Sequence, residues 1–195
     1  MKRKIAITLM TVGVIFIAFS MGLLVYNNYE SNQAHKSSES LMDSLRMNIA
    51  ENESENIIAD PFDEEMTVRE IDGYGYIGYL TIPSLNLDLP VMSEWDYGRL
   101  KISPCRYYGS TKSDNLVIAA HNYRFHFGYL GKLQVGDTVI FTDMDSQISR
   151  YEVRSVELLM PSDADKVKDS GDDLILYTCT YGGAKRITVR CGYSE

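Results

Sequence analysis

Side chains able to perform thiol or imidazole chemistry are scarce in this sequence. Among 195 residues there are three histidines and three cysteines. The cysteines, at positions 105, 179 and 191, are odd in number, so at least one stays outside any intramolecular disulfide. A bond between Cys105 and Cys191 would leave Cys179 as the free thiol. Nothing in the sequence places those two within bonding distance, so two buried free thiols are the favoured prediction.

The sequence also lacks the features of a nucleic-acid-binding protein. Its formal net charge is −8, and no basic stripe is interleaved with aromatic residues. The acidity is concentrated in residues 30–72, which contain twelve acidic and three basic side chains. This charge argues against nucleic acid as a partner but says little about what the rest of the chain binds.

Charged residues are absent from positions 5–26. A helix of that length would span roughly 33 Å, enough for the core of a bilayer. A cleaved signal peptide is the alternative, but its apolar core is usually shorter, and no small-residue cleavage site follows Met21. Lys2, Arg3 and Lys4 come first, so the positive-inside rule predicts a cytoplasmic N-terminus. Residues 1–26 are therefore predicted to be a cytoplasmic tip and a single-pass membrane anchor for an extracellular domain.

Residues 27–72 are predicted to form an acidic extracellular stalk. A short amphipathic helix is expected over residues 38–50, with Leu41, Leu45 and Ile49 on one face. His35 is expected to be solvated, and residues 51–72 are expected to be a charged spacer.

Residues 73–195 have the pattern of a β-domain. Short apolar or alternating runs, separated by turn residues, predict strands over 76–82, 87–91, 115–120, 136–141, 149–159 and 174–177. One or two helical turns are expected within residues 93–100. Regular alternation of strand and helix is missing, and no internal repeat is found. These patterns predict an antiparallel sheet closed into a barrel or sandwich.

Two predicted strands end in residues that could perform nucleophilic catalysis. Cys179 follows the apolar run 174–177, and the turn pair Gly182–Gly183 would return the chain so that Arg186 lies beside Cys179. His121 ends the buried run 115–120, and the two strand ends could bring imidazole and thiol together. A cysteine packed as a small hydrophobe and a structural histidine are the alternatives. His126, in an aromatic loop, is expected to have a packing or surface role.

The order of these segments resembles the sortases, the membrane-anchored cysteine transpeptidases of Gram-positive surfaces. Ile175-Leu176-Tyr177-Thr178-Cys179 matches three of the four fixed positions of the family's Thr-Leu-x-Thr-Cys signature, with Ile in place of the first Thr. Residues 77–83 and 89–91 are similar to the first two sortase strands, and the resemblance extends over about residues 74–193. It implies a mainly β fold: a closed antiparallel sortase-type barrel of about eight strands with short helices.

The resemblance also implies roles for individual residues. Cys179 would be the nucleophile, His121 the acid/base, and Arg186 the residue that positions substrate and stabilises the oxyanion, with Arg190 as the rival arginine. Ala119, Tyr177 and Thr178 would line the substrate groove. Arginine is not a base near neutral pH, so proton transfer falls to the histidine.

The implied reaction is a transpeptidation in two acyl transfers. Secreted proteins that carry a C-terminal Leu-Pro-x-Thr-Gly-like sorting signal would be cleaved through a thioacyl enzyme. They would then be joined to an amine of a peptidoglycan precursor or of a pilin. The thioester conserves the energy of the peptide bond, so no cofactor is expected.

Two further signals are assigned their simpler interpretations. Asp60-Pro61-Phe62 resembles the Asp-Pro-aromatic lid of pilin-building sortases, but an ordinary turn in an acidic linker is favoured. An acidic loop could bind calcium, as in some sortases, although only Asp114 is available from the opposing loop; a solvated loop is favoured and no metal site is predicted. The loop residues are Asp163, Asp165, Asp169, Asp172 and Asp173.

Three questions stay open at this level. The subclass is either class B-like or similar to the pilin-building class C. An L,D-transpeptidase-like cysteine enzyme of the cell wall is an alternative, although that family places its arginine almost adjacent to the cysteine. A membrane-anchored β-domain that binds wall polymers without catalysis is the second alternative.

Overall fold

The computed structural model describes residues 2–55, 65–168 and 170–194. The segment Asp60-Pro61-Phe62, considered above as a lid, and Asp169 of the acidic loop lie outside the described residues.

One helix accounts for the whole N-terminal part of the described chain. Helix α1, Lys2–Glu55, includes both the predicted anchor and the predicted short helix. No glycine or proline occurs between Leu23 and Ala59, so nothing in the sequence interrupts the helix where the two were expected to separate. Ser38 therefore does not begin a helix. Its hydroxyl donates to the carbonyl oxygen of Ile102 at 3.4 Å.

The two parts of α1 have different surroundings. Residues 5–26 are exposed, and α1 is long and apolar enough to cross a membrane. Further along, Leu41, Leu45 and Ile49 are buried against the β-domain, as their shared face predicts. Full burial of one such side chain contributes about 1.5–3 kcal/mol to the free energy of unfolding, so this stripe is sufficient to hold the helix on the domain.

Nine strands follow the helix in the described part of the chain. They are β1 Arg69–Ile71, β2 Tyr74–Ile82, β3 Leu87–Met92, β4 Cys105–Tyr108, β5 Leu116–Ala119, β6 Thr138–Asp143, β7 Ile148–Leu159, β8 Leu174–Cys179 and β9 Arg186–Tyr193. Short 3₁₀ helices occur at Pro83–Leu85, Arg99–Lys101, Leu130–Lys132 and Pro161–Val167. Strand β1 lies within the segment that was expected to be a spacer, so the sheet begins slightly earlier than the sequence indicates.

The sheet closes into a barrel because β2 pairs with β3 on one side and with β6 on the other. Going round from β2, the order is β3, β4, β5, β8, β9, β7 and β6, and β1 adds to the free part of β2. The predicted mainly β, eight-stranded closed barrel is confirmed. The pairings of β3 with β4 and of β5 with β8 are parallel, and the others around this ring are antiparallel.

The barrel interior contains the apolar residues that point inward from alternating strand positions. Leu80, Ile118, Phe141, Leu176 and Val189 are all fully buried in one core. A second core lies between the barrel and α1, where Leu45 packs with Tyr76, Met92 and Ala119. This second core fixes the helix beside the end of β5, close to His121.

The two buried cysteines do not form a bond. Cys105 on β4 and Cys191 on β9 are free thiols with no exposed surface. Burial raises the pKa of each thiol to about 12, so both stay protonated and unreactive. The favoured prediction of two buried free thiols is confirmed.

Candidate active site

Strands β5 and β8 run parallel and bring His121 and Cys179 together. Their register pairs Leu116 with Leu174 and Ala119 with Tyr177. The Ala120 amide donates to the Tyr177 carbonyl at 3.1 Å, so the pairing continues past β5. Extending this register by two residues places His121 opposite Cys179.

Side-chain hydrogen bonds fix these two strand ends to each other. The buried Thr178 hydroxyl donates to the Ala120 carbonyl at 2.8 Å. One residue beyond the histidine, the Asn122 amide nitrogen donates to the Thr180 carbonyl at 3.4 Å. Hydrogen bonds immediately before and after His121 and Cys179 therefore hold the two chain segments together.

The turn between β8 and β9 places Arg186 on the other side of the thiol. Cys179 and Arg186 are direct cross-strand partners, and they form the last pair before the turn of this hairpin. The turn is closed by a bond from the Thr180 amide to the Lys185 carbonyl at 2.9 Å. Gly182 and Gly183 have φ values of 84° and 75°, a left-handed conformation that glycine adopts without a steric penalty. Cys179 thus has His121 on one neighbouring strand and Arg186 on the other.

The two candidate arginines have different partners. Arg190 donates to Glu157 at 3.1 Å and to Asp172 at 2.6 Å, and it pairs across the sheet with Ile175, four residues before Cys179. Its charge is therefore compensated away from the thiol. Arg186 donates from Nη1 to the carbonyls of Gly183 and Lys185, at 2.9 and 3.2 Å.

A cavity of about 230 Å³ opens where the three side chains meet. His121, Cys179 and Arg186 line it, as do the expected groove residues Ala119, Tyr177 and Thr178. Thr178 and Ala119 are nearly buried, at 2% and 4% exposure, so Tyr177 offers the larger surface of the three. The sequence-predicted site residues are therefore brought together, with Arg190 set apart from them.

Aromatic residues that the sequence did not indicate form the other wall of this cavity. Trp95, Tyr97 and Tyr107 line it together with Leu100 and Pro161. The Trp95 ring meets Tyr107 edge-on at 5.6 Å, and Tyr107 stacks on Tyr177 at 6.2 Å. The available signal was the single tryptophan of the chain, placed in the segment between β3 and β4.

Burial and charge both act on the protonation of the candidate histidine. Burial lowers the pKa of His121, and the Lys101 ammonium lowers it further, whereas the Glu30 carboxylate opposes the shift. The imidazole is consequently neutral at neutral pH and able to accept a proton. Its ring lies 4.9 Å from that of Tyr123.

Helix α1 also contacts the surroundings of this histidine. The Glu30 carboxylate accepts hydrogen bonds from the Tyr123 hydroxyl at 3.2 Å and from Lys101 Nζ at 3.3 Å. His35 is only partly solvated: 37% of its side chain is exposed, and its ring stacks on Phe125 with 4.0 Å between centroids. The acidic residues of this segment predicted a solvated helix, but one face of the helix is packed and includes the buried Ala34.

His126 has a packing role, which is one of the two roles expected from the sequence. It is completely buried next to Tyr123, and neither ring nitrogen has a hydrogen-bond partner in the described part of the protein. Burial lowers the pKa of His126 to about 4, so the ring is neutral.

Several carboxylates of the acidic loop have protein partners. Asp163 pairs with Lys166 at 2.9 Å, Asp172 with Arg190, and Asp173 with Arg154 at 3.6 Å. Asp114, on the opposing loop, accepts from the Tyr193 hydroxyl at 2.9 Å. These acid groups are therefore engaged in ion pairs and hydrogen bonds of the fold.

A sequence model of the sortase domain matches residues 80–193. The chain belongs to the sortase family. The match spans the barrel from β2 to β9 and includes both strand ends at the cavity. Membership of this family excludes the L,D-transpeptidase alternative. Homologous sortases are cysteine transpeptidases.

Individual sortases resemble this one at modest identity. Sortase A of Bacillus anthracis is 26% identical over 190 residues, which cover 90% of this chain and 85% of that protein. The crystal structure of sortase C1 from Streptococcus agalactiae is 28% identical, with a TM-score of 0.55 over 65% of this chain and 71% of that one. A Clostridium perfringens sortase D5 transpeptidase has a TM-score of 0.60 over 84% and 99% of the two chains; at 20% identity it supports the fold alone. These relatives carry different class letters, so the subclass stays open.

Proposed function

We propose that this sortase cleaves a C-terminal Leu-Pro-x-Thr-Gly-like sorting signal and transfers the protein to a peptidoglycan or pilin amine. The observation that carries the proposal is the strand register at Cys179. A parallel neighbour supplies His121, and an antiparallel neighbour supplies Arg186. All three line one cavity, where a peptide carbonyl would meet them together.

The first half of the reaction forms a thioacyl enzyme. The Cys179 sulfur attacks the carbonyl carbon of the threonine, and His121 takes the thiol proton. The same imidazole then gives this proton to the departing glycine nitrogen as the peptide bond breaks. A neutral imidazole in the resting enzyme is what this sequence of steps needs, and burial favours that form.

Arg186 is assigned to the carbonyl oxygen. Negative charge develops on this oxygen as the sulfur attacks, and a fixed cation beside it lowers the barrier. Two backbone carbonyls of the β8–β9 turn hold the Arg186 guanidinium, so it is already positioned before substrate binds. Arg190 is less suited, since two carboxylates already compensate its charge.

The aromatic cavity fits the apolar part of a sorting signal. Leucine and proline side chains have no charge to satisfy, and the faces of Trp95, Tyr107 and Tyr177 offer a rigid apolar wall. The signal's residues before the scissile bond would therefore lie against these rings.

The location follows from the N-terminal charges and the apolar helix. With Lys2, Arg3 and Lys4 in the cytoplasm, residues 5–26 would span the membrane and the barrel would lie outside the cell, where secreted substrates carrying a sorting signal arrive. The proposed partners are thus the membrane, secreted proteins that carry a sorting signal, and an amine of the cell wall or of a pilin.

A peptide assay on the full-length chain in detergent micelles tests this function. A labelled Leu-Pro-x-Thr-Gly peptide should be cut between threonine and glycine, whereas a labelled peptidoglycan stem tetrapeptide should stay intact. Cys179→Ala should abolish the cut, and Cys105→Ala, which alters a buried thiol that does not line the cavity, should preserve it. Failure of the parent chain to cut any peptide in a sorting-signal library would instead support a non-catalytic wall-binding domain.

A further inference from the structure

Two loops of the barrel lie beside the end of the apolar run of helix α1. A second cavity, of about 660 Å³, lies between the barrel and the helix at this place. Leu24, which belongs to the apolar run, lines it together with Arg124 of the loop after β5 and Tyr181 of the turn between β8 and β9. These two segments, residues 121–132 and 180–185, are the proximal loops. They reach to within the width of one cavity of the apolar run.

The position of the proximal loops along the helix corresponds to the headgroup layer of a bilayer. Residues 5–26 span roughly 33 Å, against a hydrocarbon core of about 30 Å, and the headgroup layer on each side is roughly 5–7 Å thick. Glu30 lies four residues after Tyr26, about 6 Å farther along the helix. Its carboxylate accepts hydrogen bonds from the Tyr123 hydroxyl at 3.2 Å and from Lys101 Nζ at 3.3 Å. These bonds hold the first proximal loop at the level of the headgroups, and Lys101 compensates the charge of the carboxylate.

The proximal loops differ in charge from the rest of the chain. The formal net charge of the chain is −8, but residues 121–132 and 180–185 contain no aspartate or glutamate. Their three basic side chains are all exposed, and these are Arg124, Lys132 and Lys185. A surface with this charge fits a negatively charged partner.

Exposed tyrosines accompany these basic side chains. Tyr181, in the turn, is 84% exposed, and Tyr129 of the other proximal loop is also exposed. Tyr26 and Tyr29 are exposed on the helix where the apolar run ends. Tyrosine is enriched at the boundary between a bilayer and water, because its ring is apolar and its hydroxyl is polar. Tyrosines and basic residues together are typical of a surface that lies on a membrane.

We propose that the proximal loops bind the outer surface of the membrane, with their basic side chains at anionic phospholipid headgroups and Tyr181 in the headgroup layer. The inference rests on the proposed topology, in which residues 5–26 span the bilayer, and it does not depend on the peptide chemistry. Basic residues near a bilayer are attracted to anionic headgroups, and an aromatic ring at the interface adds apolar contact.

The contact places the candidate nucleophile at the membrane surface. Cys179 lies two residues before Tyr181, a distance of about 7 Å along an extended chain. The barrel is then attached to the membrane at two places, through helix α1 and through the proximal loops. This double attachment restricts tilting of the barrel about the end of the anchor and keeps the thiol near the headgroups.

Tryptophan fluorescence of the full-length chain in vesicles tests the contact. The vesicles contain phosphatidylglycerol and phosphatidylcholine, and part of the phosphatidylcholine carries a nitroxide on its headgroup, a short-range quencher. Trp95→Phe removes the single native tryptophan, and one new tryptophan is then introduced. Tyr181→Trp reports on the turn, and Tyr26→Trp reports on the anchor.

Ile148→Trp is the matched control for the turn. Ile148 is also exposed, but it begins β7, whereas Leu159 at the other end of that strand pairs with Arg186 beside the turn. A strand of this length separates its two ends by roughly 36 Å. The control position is therefore far from the proximal loops.

We expect the nitroxide lipid to quench the fluorescence of Tyr181→Trp and Tyr26→Trp and to leave that of Ile148→Trp unchanged. Quenching of Tyr26→Trp without quenching of Tyr181→Trp would overturn the loop contact while the anchor stands. An absence of quenching at both positions would overturn the anchor and the loop contact with it. Peptide cleavage is measured separately, so a failure of the proposed catalysis is distinguishable from each of these results.

Neutralisation of the basic side chains tests the proposed headgroup charge. With Tyr181→Trp as the reporter, the pair Arg124→Gln and Lys185→Gln should reduce the quenching. The pair Lys112→Gln and Arg150→Gln removes the same charge at exposed positions that do not line the cavity, and it should leave the quenching unchanged.

The lipid and the salt concentration provide the complementary test. Vesicles without phosphatidylglycerol should quench Tyr181→Trp less, and so should 1 M salt, which shortens the screening length to about 3 Å. Equal quenching in the two double variants, or equal quenching with and without phosphatidylglycerol, would contradict anionic headgroups as the ligand of the proximal loops.

Discussion

Cys179 and Arg186 face each other as cross-strand partners at the turn end of the β8–β9 hairpin. Directly opposite residues on antiparallel strands have their Cβ atoms about 4.5–5.5 Å apart, so a thiol and a guanidinium in this register can reach the same substrate group. The intervening turn is closed by its own hydrogen bonds. Their proximity is therefore a property of the hairpin and needs no substrate to create it.

Replacement of each arginine should affect a different property. The Arg186 variant should lose activity, and the Arg190 variant should lose stability. Arg186→Ala should lower kcat/KM for a sorting-signal peptide by about 10²–10³-fold, the usual effect of losing one oxyanion-stabilising group, with little change in stability. Arg190→Ala should lower the free energy of unfolding by about 1.5–3 kcal/mol, because Glu157 and Asp172 lose their shared partner. Peptide kinetics and urea unfolding separate the two. Retained turnover in Arg186→Ala with loss in Arg190→Ala would reverse the assignment.

Activity should fall in acid with a midpoint below the ordinary histidine pKa of 6.5. The resting imidazole must be neutral to take the thiol proton, and burial together with Lys101 lowers the pKa of His121. Protonation therefore stops the reaction only once the pH falls below this lowered value. The pH profile of peptide acylation measures the midpoint.

Removal of the nearby Lys101 charge tests whether His121 is the proton acceptor. Lys101→Met should move the acid midpoint to higher pH, since the cation that disfavours the imidazolium is gone. Lys112→Met, at an exposed position, should leave the profile where it was. A midpoint that stays fixed or moves to lower pH in Lys101→Met would count against His121 as the proton acceptor.

His126 should make the fold sensitive to acid. Its pKa is about 4 in the folded protein and about 6.5 when exposed, so the unfolded chain binds more protons between these values. The stabilising contribution is complete above pH 6.5 and declines as the pH falls toward 4, by about 3 kcal/mol in total. Urea unfolding followed by the fluorescence of Trp95, the single tryptophan, measures this slope. In His126→Leu the slope should become shallower, and an unchanged slope would exclude His126 as its source.

Exposure of Cys179 allows the membrane orientation to be tested. It is partly exposed, whereas Cys105 and Cys191 are fully buried. A membrane-impermeant maleimide applied to intact cells should therefore label the parent chain at Cys179 and should not label Cys179→Ala. Labelling that requires permeabilised cells would place the barrel in the cytoplasm and contradict the proposed topology.

The proximity of thiol and guanidinium could be predicted because this relation is local. Cys179 and His121 each follow an apolar run, and a glycine pair separates Cys179 from Arg186. The parallel pairing that joins β5 to β8 is different, since more than fifty residues separate His121 from Cys179. Short-range patterns report a strand and its end but not which distant strand it pairs with.

The packing of α1 against the barrel could not be predicted from the sequence, for a related reason. The stripe of Leu41, Leu45 and Ile49 indicates that the helix packs, but not on what. The acidic residues around it favoured a solvated stalk, although they occupy other faces of the helix. Both the contact of Glu30 with Tyr123 and the aromatic wall at Trp95 arise from elements far apart in the sequence.

The most direct test of Cys179 as the nucleophile is the mass of the intact chain after incubation with a Leu-Pro-x-Thr-Gly peptide. The expected product is an adduct equal to the peptide's acyl portion through threonine, attached to Cys179 and released by hydroxylamine. Cys105→Ala should still form it and Cys179→Ala should not. A peptide that is cut without any adduct, or an adduct that persists in Cys179→Ala, would contradict the proposed mechanism.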